Sequence, residues 1–241
     1  MSASEEFFAQ QRTAAAFKHG ILKRYPVVFA GKAGSITSGR VVFLDGYAGP
    51  GRYDDGSPGS PLLFVQAARR LGKLRKVTAI FVEQHPDRCA RLREVLTEVG
   101  ATWVNYQTLE GDLGAHLPGL LPATSGAALF AFLDPFGTAL DREQLRSQLL
   151  GRAGRAPTEI LLHVSVSTVA RIGGLLRQGD VQSLFPSSAA VGGSLELLSW
   201  WRCAVGGGVV DGPAAPGCRL RRVIMALRSA WGWHRTAGDV V

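Results

Sequence analysis

Val41 to Gly51 reads VVFLDGYAGPG: four apolar residues, an acid, then three glycines within six positions. A short apolar run bounded by turn residues is the pattern of a buried strand, most often from a parallel sheet covered on both faces. Glycines directly after such a strand let the chain turn tightly and bring its backbone close to a ligand. Asp45, at the strand end, is positioned to accept hydrogen bonds from a ligand's polar groups. The stretch reads as the loop of a nucleotide-type cofactor site.

Working outward, the same strand-then-turn pattern recurs. Before the stretch, Ser2 to Arg24 reads as a helix, with Ser2 and Glu5 spaced as a capping box and Pro26 as its stop. After it, Ser60 and Pro61 open a second helix that runs to Gly72. Val77 to Val82 is a second strand closing on Glu83, and a helix from Pro86 stops at Gly100. Thr102 to Tyr106 is a third strand, followed by a loop that holds Asp112. Ala127 to Leu133 is the most apolar strand and ends on Asp134-Pro135-Phe136-Gly137; a helix over about 141–150 and a fifth strand, Glu159 to Val166, follow. Alternating strands and helices predict an α/β fold: a doubly wound, mostly parallel sheet with helices on both faces. Ligands of such sheets bind beyond the carboxyl ends of the strands, where Asp45, Glu83, Asp112 and Asp134 would gather.

Residues 1–185 read as this α/β domain with its N-terminal helix, and 186–241 as an atypical or incomplete part of it. Leu195 to Val205 is a candidate helix with an exposed Trp200-Trp201 pair. Beyond Val205 the chain is rich in glycine, alanine and arginine, and no strand stands out.

The composition is that of an ordinary globular protein, 46% hydrophobic and 19% charged, with no apolar stretch near the ~20 residues of a membrane helix. The N-terminus, MSASEEFF, lacks the basic flank and apolar core of a secretory signal. Cys89, Cys203 and Cys218 form neither a disulfide framework nor a C-x-x-C pair, which predicts a reducing, cytoplasmic setting. The net charge is +8, and residues 197–241 hold six basic residues against two acidic ones. That imbalance admits a nucleic-acid partner, although a solvated surface is the commoner meaning of such charge. The histidines have no H-x-x-x-H or H-E-x-x-H spacing, so no metal site is predicted. His163 reads as a satisfied core histidine, and Arg52 and Arg171 as structural or solvated.

The order of the strand-end elements carries the chemistry. Neither a G-x-G-x-x-G nor a G-x-x-x-x-G-K-[ST] motif occurs, which argues against dinucleotide enzymes and phosphate-loop proteins. The series D-G-Y-A-G-P-G, Glu83, Asp112 and D-P-F-G resembles instead the motif series of S-adenosylmethionine-dependent methyltransferases. On that resemblance Asp45, Gly46, Tyr47, Gly49, Gly51, Glu83 and Asp112 are the cofactor-binding residues. Gly49 and Gly51 admit the methionine part without a Cβ clash, Asp45 accepts from its ammonium, Glu83 from the ribose hydroxyls and Asp112 from the adenine amino group. Asp134, Pro135 and Phe136 resemble the D/N-P-P-Y/F motif of enzymes acting on exocyclic amines, but with Phe136 in place of the second proline and Gly137 in place of the aromatic residue. D-P-F-G as it stands is similar to the motif of tRNA guanine-N2 dimethyltransferases. Those families hold the amine with the Asp side chain and the Pro carbonyl, and stack the base on the aromatic residue.

Over residues 15 to 175, the segments KHGILKRY, FLDGYAGPGRYDDGSPGSPL, FVEQ, FLDPFG and TEILLHVSVSTVAR resemble the three-Cys-motif partner proteins. That resemblance implies a methyltransferase-like Rossmann fold and a neighbour protein with a three-cysteine, radical-SAM-like motif. Two expectations follow: a methyltransferase-like protein acting on an exocyclic amine of a nucleic-acid base, or a non-catalytic SAM- or nucleotide-binding scaffold for the three-Cys-motif protein.

Overall fold

The computed structural model describes residues 3–135, 144–152, 156–164 and 221–227. Helix α1 (Ala3–Ala33) leads into strand β1 (Arg40–Asp45), and α2 (Ser60–Leu71), β2 (Lys76–Glu83), α3 (Pro86–Glu98) and β3 (Asn105–Glu110) follow. Then come α4 (Leu113–Ala123), β4 (Ala128–Leu133), a short π-helical segment (Gln144–Leu150), β5 (Thr158–Val164) and β6 (Arg221–Leu227). All pairs are parallel, in the order β3-β2-β1-β4-β5-β6. The chain steps outward from β1 to β3, then returns across the sheet to β4. The sequence expectation of an α/β protein with a parallel sheet is met.

Alternation along the central strands sends side chains to two separate cores. Val41, Phe43, Ala79, Phe81, Phe130 and Phe132 face α1, α2 and α3, where they meet Leu22, Phe29, Phe64 and Leu92. Val42, Leu44, Ile80, Val82, Leu129 and Leu133 face the other way, onto Leu113, Leu117, Leu120 and Leu149. Helices therefore cover both faces. Phe130 centres the first core: Phe29, Phe43 and Phe64 lie around it, with ring centroids at 5.6, 6.5 and 6.0 Å.

Several elements depart from the sequence reading, each for a physical reason. Helix α1 does not stop at Pro26 but continues to Ala33. An internal proline costs a helix about 3 kcal/mol. Burying Leu22 and Phe29, on either side of Pro26, returns about 1.5–3 kcal/mol each, and Ala30 and Ala33 extend the same face. Ser60 does not cap α2; Gly59 does, without a side-chain bond. Residues 101–103 form a 3-10 turn and β3 starts only at Asn105. That strand lies at the sheet edge and alternates between exposed and half-buried, so it lacks the apolar run of the inner strands. Helix α4 went unrecognised in the sequence because Pro118 and Pro122 lie inside it, yet Leu113, Leu117 and Leu120 make one buried stripe. Strand β6 corrects the expectation that no strand follows Val205: it pairs along its whole length with β5. Its two leading arginines masked the apolar run Val223 to Leu227.

The capping pair at Ser2, the candidate helix after β5, Trp200-Trp201, Arg171, Cys203 and Cys218 lie outside the described residues. Cys89 is buried in the core as a small apolar side chain. Among the described residues no helix is long and apolar enough to cross a membrane.

Candidate functional site at the carboxyl edge of the sheet

The loop after β1 is fastened across three strands. Gly46 N–H donates to Phe132 O on β4 at 3.0 Å, and Ala48 N–H donates to Val82 O on β2 at 2.9 Å. Gly49 N–H donates to Glu83 Oε2 at 2.8 Å, and the other oxygen of the same carboxylate accepts from His85 N–H at 2.9 Å. Gly111 N–H completes the set, donating to Glu83 O at 3.0 Å. Glu83 thus ties the glycine loop to the turn after β2. Each of its oxygens has two lone pairs and spends one here, so the carboxylate keeps acceptor capacity for a ligand.

The fold of the loop itself requires these glycines, apart from any approach of a ligand. Gly49 and Gly51 sit at φ +66° and +84°, in the left-handed region that side chains resist. A Cβ on Gly51 would also lie 3.0 Å from Leu92 Cδ1, and one on Gly46 2.7 Å from both Leu113 and Leu133. A Cβ on Gly49 would meet nothing within 4 Å. Turn geometry and packing beneath the loop account for all three.

Between the loop, α3 and α4 a cleft opens, with about 540 Å³ of empty space including its mouth. Gly46, Tyr47, Glu83 and Asp112, all expected from the sequence, line it. So do Gln84, His85, Arg88, Gly111 and Leu113, which the sequence reading did not single out. Gln84 and His85 directly follow the strand-end Glu83, and Gly111 and Leu113 flank Asp112; for Arg88 the sequence held no such signal. Asp112 caps α4, its Oδ1 accepting from Gly114 N–H at 2.8 Å, so the turn-forming role and a place on the cleft wall coincide. Burial pushes the Tyr47 phenol up to about 12, with the Asp112 charge adding to the effect.

Asp45 lies below the cleft rather than on its wall. It is fully buried; Oδ1 accepts from Tyr47 N–H at 3.3 Å, and Oδ2 has no partner. Burial raises its carboxyl to about 7, eased by the Tyr47 N–H and by the nearby Ser60 hydroxyl, which makes no well-formed hydrogen bond to Oδ2, and reinforced by the negative charges of Asp134 and Glu83. A buried carboxylate oxygen without a donor is costly, and it is an acceptor suited to a cationic or N–H group.

A second group of polar side chains sits over β4 and β5. Lys18 Nζ reaches Asp134 Oδ2 at 2.6 Å, and His163 Nδ1 lies 2.6 Å from Asp134 Oδ1. Burial alone would raise the Asp134 carboxyl; the His163 hydrogen bond and the Lys18 charge overcome that and leave it below its ordinary value. His163 is therefore not simply a core residue: it stands at the carboxyl end of β5, bonded to the expected site residue. Beside this group, His19 Nε2 and the Tyr53 hydroxyl are 3.2 Å apart. Arg52, expected to be structural, donates to Gly56 O within its own loop. Pro135 follows Asp134 at the strand end, and Phe136 lies outside the described residues.

Compared with family models, curated proteins and solved structures, the chain matches none.

Proposed function

We propose that this chain is a methyltransferase-like protein with a Rossmann-like sheet of the S-adenosylmethionine-dependent type, and that it binds S-adenosylmethionine in the cleft beyond β1, β2 and β3. The observation that carries the reading is the convergence of Gly46, Tyr47, Glu83 and Asp112 on one cleft, above a buried Asp45 oxygen that lacks a donor. The strand order, reversing between β1 and β4, supports it, since open α/β sheets bind ligands at such a reversal. The acceptors fit the group: Glu83 has lone pairs for the ribose hydroxyls and Asp112 for the adenine amino group, while Asp45, buried beneath the loop, contributes its negative charge toward the ammonium. When bound, the sulfonium compound supplies an electrophilic methyl group. The chain's part is to bind, to orient and to keep water from the acceptor. The acceptor class is an exocyclic amine of a nucleic-acid base, on the resemblance of Asp134 to Gly137 and the excess of basic residues, and the setting is cytoplasmic.

One observation favours the second reading, a non-catalytic scaffold for a three-Cys-motif protein. Both oxygens of Asp134, the residue expected to hold the amine, are already engaged by Lys18 and His163. Calorimetric titration with S-adenosylmethionine, followed by transfer of a labelled methyl group to RNA and DNA, separates the two. Binding with transfer establishes the enzyme, binding without transfer establishes the scaffold, and absence of binding removes both SAM readings.

A further inference from the structure

The parallel register pairs Leu133 with Leu162, which brings Asp134 and His163 side by side at the carboxyl ends of β4 and β5. Asp134 is held from both sides: Lys18, 116 residues earlier on α1, takes Oδ2, and His163 takes Oδ1. A carboxylate so occupied is poorly free to receive an incoming amine. It is well placed to fix an imidazole. A carboxylate facing Nδ1 requires a proton there, so the neutral ring carries its lone pair on Nε2. The His163 side chain is 17% exposed, and among the described residues nothing hydrogen-bonds Nε2.

We propose that His163 Nε2 is the proton acceptor of the site, a general base for an O–H or N–H group of the acceptor, with Asp134 and Lys18 as positioning residues. The step breaks the acceptor's X–H bond heterolytically. The proton passes to Nε2, the electron pair stays on X, and the resulting imidazolium is paired with the Asp134 carboxylate. Lys18 remains protonated and holds the second carboxylate oxygen. The acceptor is thus a group neutral at rest that must shed a proton as it gains a new bond, which includes exocyclic amines and hydroxyls. The inference rests on the transfer reading only for the fate of the deprotonated group.

The test starts with nitrogen NMR of the full chain at neutral pH, without any ligand. His163 is expected as the Nδ1–H tautomer, and Asp134→Ala is expected to abolish that preference. A wild-type ring in the Nε2–H tautomer overturns the proposal. His163→Asn, whose amide can still donate to Asp134, is then expected to bind S-adenosylhomocysteine as the wild type does while transfer falls roughly 10²–10⁴-fold. His163→Gln serves as the second variant, and ligand binding reports that each is folded. Transfer within threefold of wild type in a folded variant overturns the general-base role. Failure of the wild type to bind S-adenosylhomocysteine removes the cofactor reading instead, and the tautomer measurement still judges the dyad.

Discussion

Asp45 is a buried acid beneath a glycine loop, and its chemistry follows from that placement. With its carboxyl raised from 3.8 to about 7, the folded chain holds a proton that the unfolded chain releases near pH 4. The stability this gives is complete below the unfolded value and is lost as pH rises through about 7. A shift of that size corresponds to about 4 kcal/mol across the window. Asp45→Asn is therefore expected to flatten the fall in unfolding free energy between pH 4 and pH 8, and to be more stable than the parent chain at pH 8. Denaturant titrations at several pH values check this; an unchanged slope in the variant contradicts it. The same linkage makes a cationic ligand bind more tightly as Asp45 ionises. Asp45, Glu83 and Asp134 were legible as strand-end acids and Asp112 as an acid of the loop after a strand, because those positions are properties of the local sequence. Their partners were not. Lys18 and His163 meet at Asp134 only through tertiary register, and nothing in the spacing of residues 18, 134 and 163 announces it.

The glycine loop and the helices around it show where local pattern succeeds and where packing takes over. Gly49 and Gly51 share a left-handed backbone, but only Gly51 is crowded by Leu92 and Val95. Gly49→Ala is expected to cost about 1–2 kcal/mol, the price of the left-handed conformation alone. Gly51→Ala is expected to cost more, by roughly 1–3 kcal/mol of overpacking against α3. Thermal or denaturant unfolding of the two variants checks the order, and equal costs would contradict the account of the loop. The central strands were legible because Val41–Leu44 and Ala128–Leu133 are apolar runs covered on both faces. Pro26, Pro118 and Pro122 misled, since proline reads as a stop while the buried faces of α1 and α4 run through it. Edge strands β3 and β6 were hardest, because neither presents an unbroken apolar run along its length.

At the scale of the whole molecule, the strand order reverses between β1 and β4, and two polar regions lie along the carboxyl edge: a cleft beyond β1 to β3, and the Lys18–Asp134–His163 group over β4 and β5. Strand β6 closes the side of the sheet nearer that second group. Removing residues 206–241 would leave β5, with Ile160, Leu161 and Leu162 all buried, as an unpaired edge. Such a truncation is expected to lower the unfolding temperature and to promote association through the exposed strand. Light scattering and calorimetry check it, and a truncated chain as stable and monomeric as the whole would contradict the pairing.

The cleft at Glu83 is proposed to hold S-adenosylmethionine, and the most direct test is the shift in thermal unfolding produced by S-adenosylhomocysteine. A ligand that binds only the folded chain stabilises it by about 2.7 kcal/mol at a hundredfold excess over Kd. Such a shift is expected in the parent chain, and a shift reduced or lost in Glu83→Gln, which retains an oxygen for Gly49 N–H but not the charge. No shift at millimolar ligand, or an undiminished shift in the variant, would contradict the proposal.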